Sequence, residues 1–123
     1  MPATVVSAVT STMKIYRDES FGPIVGIIEA RDENEAIRIA NDTQYGLSSA
    51  VFTRDRELGV RFALQVQAGM THVNDHGVED SSTGPFGGEK NSGIGRFGGE
   101  WIMREFTREH WITVQHTPPA YPF

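Results

Sequence analysis

The chain has 123 residues, 38% of them apolar, and a formal net charge of −5. That length suits one domain able to bury about two thirds of its unfolded surface, and the acidic balance argues against nucleic acid and anionic membranes, which both need a basic face. With no cysteine in the sequence, disulfides, cysteine-based zinc sites and thiol nucleophiles are excluded within the chain.

The opening MPATVVSAVT lacks the basic start and apolar core of a secretory signal. No apolar run approaches the roughly 20 residues of a membrane span, so the expected location is the cytoplasm. Residues 3–9 are short, β-branched and apolar, and predict a strand. Residues 23–28, PIVGII, form a nearly continuous apolar run, as in a strand covered on both faces. Asp32 then starts a helix, with Glu35 three positions on in the acidic form of a capping box. Ala36, Ile37 and Ala40 follow as an apolar stripe. The sequence NDTQYG at 41–46 predicts a turn.

Residues 47–53 predict a second strand, with Thr53 or Asp55 starting another helix. Leu58, Phe62 and Val66 recur every four residues through it, and Gly69 is placed to end it. Residues 70–74 predict a third strand. The order strand, helix, strand, helix, strand implies an α/β fold with parallel strands and crossover helices. Residues 75–99 carry no periodic pattern, and a segment that long is commonly functional when ordered. A short helix is predicted over 100–107, a final strand from Trp111 to Gln115, and an extended proline-bearing tail after it.

Seven of the thirteen glycines lie between Gly84 and Gly99. Among them Gly93-Ile94-Gly95-Arg96-Phe97-Gly98 is a literal G-x-G-x-x-G. A dinucleotide fingerprint requires a strand ending at the first glycine and an acid about 20 residues later. The nearest predicted strand ends near Asn74, and the acid position falls on Pro118. A tightly packed glycine loop is the better reading. His72 and His76 have the spacing of a helical metal pair, with Glu79 and Asp80 nearby, but they straddle a strand end and a turn, so ordinary exposed histidines are expected. Ser92 has no nucleophile elbow around it and is a turn residue.

One segment stands out chemically: Arg17-Asp18-Glu19-Ser20-Phe21-Gly22-Pro23. A carboxylate can accept two hydrogen bonds from vicinal sugar hydroxyls, and the ring two residues on can pack against a flat ring system. A solvated acid and a core phenylalanine explain it equally well.

Four stretches decide between these readings. ESFGP at 19–23, YGLSSAVFT at 45–53, Val73-Asn74, and PFGGEKNSGIGR at 85–96 occur in that order. Together they resemble the C-terminal quarter of the aldehyde dehydrogenase superfamily, and the ending is most similar to its benzaldehyde, vanillin and salicylaldehyde dehydrogenase branch. The resemblance implies a parallel-sheet catalytic subdomain over 1–107, then an oligomerisation strand and tail over 108–123. It implies that Glu19 grips the nicotinamide ribose of NAD or NADP and that Phe21 lies beside the nicotinamide. It further implies that Asn74 and Phe86 border the aldehyde pocket, and that Trp111 to Gln115 joins copies into a homo-oligomer.

The family's cysteine nucleophile, its water-activating glutamate and its oxyanion asparagine would lie before Met1 by that comparison. The chain alone is therefore expected to be inactive, with a separately made N-terminal chain as one conceivable partner. Some members carry a second glutamate directly after the Gly-Arg of the loop, where Phe97 stands here. The competing reading is a non-enzymatic oligomerisation or binding module that retains the fold.

Overall fold

The computed structural model describes residues 2–78 and 81–122. Two parallel strand pairs form its frame, each joined by a helix. β1 (Thr4–Val6) leads through α1 (Lys14–Arg17) to β2 (Ile24–Gly26), and β3 (Ser48–Val51) leads through α3 (Arg56–Ala63) to β4 (Met70–Val73). Between the pairs runs α2 (Glu33–Asn41). Thr4 pairs with Ile24 in the first sheet, and Ser48 with Met70 in the second. This is the α/β, parallel-strand architecture that the alternation implies.

The helix starts follow the capping chemistry. Asp32 accepts the amide of Glu35 at 2.8 Å, and Asp55 accepts that of Leu58 at 3.1 Å. Asp55, not Thr53, is therefore the cap of α3, while Thr53 Oγ1 accepts the Asp55 amide. Glu35 reaches back one residue past the cap, to the amide of Arg31 at 2.9 Å, and pairs with the Arg31 guanidinium at 2.8 Å. On α2 the half-buried apolar residues are Ala36, Ile37 and Ile39, whereas Ala40 is exposed.

α3 is shorter than the spacing of Leu58, Phe62 and Val66 predicts. After Ala63 the chain tightens into i to i−3 bonds, Gln65 to Phe62 and Val66 to Ala63. The Asn41 side chain then clamps the backbone of Gln65 and Gln67 at 2.8 and 2.7 Å. Val66 lies beyond the helix for that reason. Gly69 does not end it either: a Cβ there would meet the carbonyl oxygen of Gly87, so this glycine admits the glycine-rich loop. Within α3, Gly59 lets the helix approach β4, since a Cβ would sit 2.6 Å from Val73 Cγ1.

Two further differences concern the ends of the predicted pattern. α1 has no periodic signal in its four residues and escapes the sequence reading. Among the described residues, 111–115 form no ladder; a strand needs a neighbour to pair its amides and carbonyls, and Trp111 stands 88% exposed. Residues 101–106 do form α4 (Trp101–Phe106).

Among the described residues Val9 is the one buried apolar side chain, at 5% exposure. The chain exposes 10,144 Å², against about 6,600 Å² for a folded monomer of its mass. Val5 and Val25 on the first sheet, and Phe52 after β3, all face outward. No helix among the described residues is long and apolar enough to cross a membrane.

Candidate functional site

The segment bearing Glu19 is fixed at both ends. Upstream, the Asp18 amide closes α1 on Lys14 at 2.8 Å, and Tyr16 donates its hydroxyl to Asp42 Oδ2 at 2.7 Å. That hydrogen bond, with burial adding to it, raises the Tyr16 phenol above its usual range. Downstream, Pro23 accepts the Thr4 amide at 2.8 Å and starts the first ladder. Glu19 lies on the wall of a cavity of about 540 Å³, shared with Tyr16, Tyr45, Ser48, Gln67 and Ser92. Phe21 is 97% exposed and is not part of that wall.

The cavity exists because the glycine loop folds back onto the 41–46 turn. Gly46 is buried at the crossing. Its amide donates to Ser92 Oγ at 2.9 Å, and its carbonyl accepts the amides of Gly69 and Glu89 at 3.0 and 2.8 Å. Lys90 adds its ammonium to the carbonyls of Asn41 and Thr43, at 2.9 and 3.0 Å. Asn91 pairs through its amide with Gln44. Ser92, read from sequence as a turn residue, thus also ties the loop to the cavity wall. Nothing local in NSG signals that partner, which lies 46 positions away.

The G-x-G-x-x-G carries no phosphate cradle. Gly95, Gly98 and Gly99 have φ of 77°, 88° and 46°. The space beside Gly95 is filled by the Glu105 carboxylate, and the spaces beside Gly98 and Gly99 by the carbonyls of Gly84 and Thr83. Glu105 also accepts the Arg96 amide at 3.2 Å. A carboxylate over these amides opposes an anion there. Arg96 turns inward to the carbonyls of Gly88 and Gly95 and to the Glu89 carboxylate. Phe97 pairs its backbone with Phe86 in an antiparallel bridge and sets its ring edge-on to Phe106, centroids 6.3 Å apart.

At the end of β4, Asn74 adopts φ of 59°, a left-handed conformation that asparagine tolerates better than most residues. Its amide donates to Val51, and its Oδ1 accepts the Thr53 amide at 2.8 Å. It borders a depression with Arg56, Val60 and Val73. Phe86 borders a different cavity, of about 260 Å³, with Met70, His72 and Pro85. Glu19, Asn74 and Phe86 therefore line three separate concavities.

The two histidines also part company. His76 is exposed, beside Asp75. His72 is not: its Nε2 is fully buried on β4. The expectation of two ordinary exposed histidines fails for His72, because the strand interior is half-covered by the loop above it. Glu79 and Asp80 lie outside the described residues, and among the described residues no cluster of three metal-ligating side chains forms.

The model of the aldehyde dehydrogenase family matches residues 1–112. The chain belongs to the aldehyde dehydrogenase family. It is 46% identical over 120 residues to benzaldehyde dehydrogenase YfmT of Bacillus subtilis, covering 98% of this chain and 25% of that protein. Among solved structures, a salicylaldehyde dehydrogenase from Pseudomonas putida G7 complexed with salicylaldehyde superposes with a TM-score of 0.94. It shares 46% identity over all of this chain and 25% of its own. A Mycobacterium tuberculosis aldehyde dehydrogenase complexed with NAD+ gives a TM-score of 0.79 at 39% identity, over 85% of this chain and 21% of its own. The chain thus spans about a quarter of the length of these aldehyde dehydrogenases. Of the four stretches that carried the resemblance, 19–23 forms the Glu19 segment, 45–53 and 85–96 meet at the crossing around Gly46, and Val73-Asn74 ends β4.

Proposed function

We propose that this chain supplies the cofactor-ribose edge and part of the aldehyde pocket of an NAD- or NADP-dependent aldehyde dehydrogenase. The reaction is oxidation of an aldehyde, an aromatic one by kinship with the benzaldehyde and salicylaldehyde enzymes. The aldehyde loses a hydride to the nicotinamide and takes an oxygen from water, leaving acid, reduced cofactor and a proton. The carrying observation is the Glu19 carboxylate on the wall of the large cavity, in a segment fixed by Tyr16 and Pro23.

Each named residue has a chemical task. Glu19 accepts two ribose hydroxyls. Phe21, with a free ring, packs beside the nicotinamide. Phe86 borders the aldehyde as an apolar wall suited to an aryl group, and Asn74 approaches it from the separate depression at the end of β4. The bonds of Asn74 to Val51 and Thr53 hold it rigidly for that task. Residues 1–107 act as this catalytic piece, and residues 108–123 carry the oligomer contact, where Trp111, Ile112 and Val114 offer unpaired apolar side chains.

The chain has no cysteine and therefore no thiol to attack an aldehyde. Alone it is inactive, and turnover requires the remainder of an aldehyde dehydrogenase, as the same chain or a separate one. Calorimetric titration with NAD tests the cofactor role. Weak saturable binding is expected, weakened further by Glu19→Gln. Absence of any NAD binding, with self-association intact, favours a non-enzymatic oligomerisation module instead.

A further inference from the structure

Lysine occurs twice in the chain, as Lys14 and Lys90, and the fold treats the two amines differently. Lys14 opens α1 and is exposed, and among the described residues its side chain makes no hydrogen bond or ion pair. The Lys90 ammonium donates to the carbonyls of Asn41 and Thr43, at 2.9 and 3.0 Å. Lys90 also takes φ of 54°, a left-handed conformation that costs a lysine more than a glycine. The two bonds of its amine offset that backbone cost.

A lysine amine condenses with an aldehyde through its nitrogen lone pair. The ammonium first gives up a proton, a C–N bond forms, and the aldehyde oxygen leaves as water. The neutral imine keeps no N–H, and its protonated form keeps one. Lys90 therefore cannot become an imine and hold both carbonyls, whereas Lys14 has no bond to lose. We infer that the clasp between loop and turn withholds Lys90 from aldehydes and leaves Lys14 as the lysine they modify. The inference goes beyond the proposed cofactor role and does not depend on it, since no NAD takes part. The division matters because of where the two amines lie. Asn91 and Ser92, directly after Lys90, line the large cavity with Glu19, so an imine at Lys90 would release the loop that builds this wall. Lys14 is not part of the wall, and an adduct there leaves the loop closed.

The 123-residue chain is incubated with benzaldehyde and cyanoborohydride, which delivers hydride to the C=N bond and fixes each imine as a benzylamine. Peptide mass spectrometry follows both lysines over time, in buffer and in denaturing urea. In buffer Lys14 should be labelled about tenfold faster than Lys90 or more, as the loss of two net hydrogen bonds implies. In urea, where the clasp is gone, the two rates should converge. Equal rates in buffer, no labelling of Lys14, or a difference that survives in urea would each overturn the inference. The unmodified chain serves in every arm, so no variant has to fold. Failure of NAD to bind would remove the cofactor reading and leave this one standing.

Discussion

The Nζ of Lys90 lies 2.9 Å from the carbonyl oxygen of Asn41, 49 positions earlier in the chain. A second bond to Thr43 at 3.0 Å makes the ammonium a clasp between the glycine loop and the end of α2. Bonds from a charged donor are the stronger kind, and α2 ends here with carbonyls that no helical amide can satisfy. Lys90→Met keeps the stem and removes the clasp. It should cost about 1–2 kcal/mol, allowing for exposure. Hydrogen exchange at the Glu89, Asn91 and Ser92 amides should accelerate first, before exchange in β3 and β4.

Gly69 and Gly84 form a matched pair for a steric test. A Cβ on Gly69 would collide with the Gly87 carbonyl oxygen, which is backbone and cannot swing aside. On Gly84 the nearest atom is Ser81 Cβ at 3.4 Å. Gly69→Ala should destabilise the chain by about 1–3 kcal/mol or more, read as a lowered urea midpoint. Gly84→Ala should leave the midpoint nearly unchanged. Equal effects would contradict the packing of the loop on Gly69.

The capping cluster of α2 predicts a pH signature. Hydrogen bonds from the Arg31 side chain, then from its backbone amide, lower the Glu35 carboxyl from 4.5 to about 2. A depressed carboxyl contributes stability that is present above its unfolded value near 4.5 and lost as pH falls through about 2. The Glu35 carboxyl carbon should therefore titrate near 2, and Arg31→Met should return it toward 4.5. A midpoint near 4.5 in the unmodified chain would dissolve the cluster.

The Tyr16 bond to Asp42 anchors α1 three residues before Glu19, so the proposed cofactor role of Glu19 makes that anchor testable. Tyr16→Phe removes the bond to Asp42 and keeps the ring. It should loosen 17–21 and weaken NAD binding about three- to tenfold, as expected for one hydrogen bond. Tyr16→Phe and Glu19→Gln should not be additive, because one works through the other. Additive losses would mean that Tyr16 contributes to the fold alone.

Much of this was legible in the chain. Asp32 and Asp55 mark their helices because a short acceptor side chain there satisfies an amide three residues on, a purely local event. The alternation of strands and helices likewise reads from nearby residues. What escaped depends on contacts far apart in sequence. α3 stops at Ala63 because Asn41 grips 65–67, and the Nε2 of half-buried His72 is closed off from solvent where β4 meets the segment at Phe86. Gly69 is a glycine for the sake of Gly87, not of the helix before it. Glu19 was singled out by chemistry, but its cavity was not, since it forms only where the Gly46 crossing joins the 41–46 turn to the loop at Ser92.

The exposed apolar surface carries its own consequence. The excess over a compact monomer is about 3,500 Å², more than a standard-sized protein interface removes in total. In sedimentation, the purified chain should associate as concentration rises, and Trp111→Asp with Ile112→Asp should reduce that association. A sharply monomeric chain at all concentrations would count against the oligomer contact in 108–123.

The proposed role of this chain is to provide the Glu19 edge of an aldehyde dehydrogenase site but no nucleophile. It is tested by following reduced cofactor formed from benzaldehyde and NAD by three samples: the chain alone, the N-terminal three quarters of the Pseudomonas putida salicylaldehyde dehydrogenase alone, and the two mixed. Turnover is expected in the mixture only, and Glu19→Gln should lower it. Turnover by the chain alone, or a mixture indifferent to Glu19→Gln, would rule out that role.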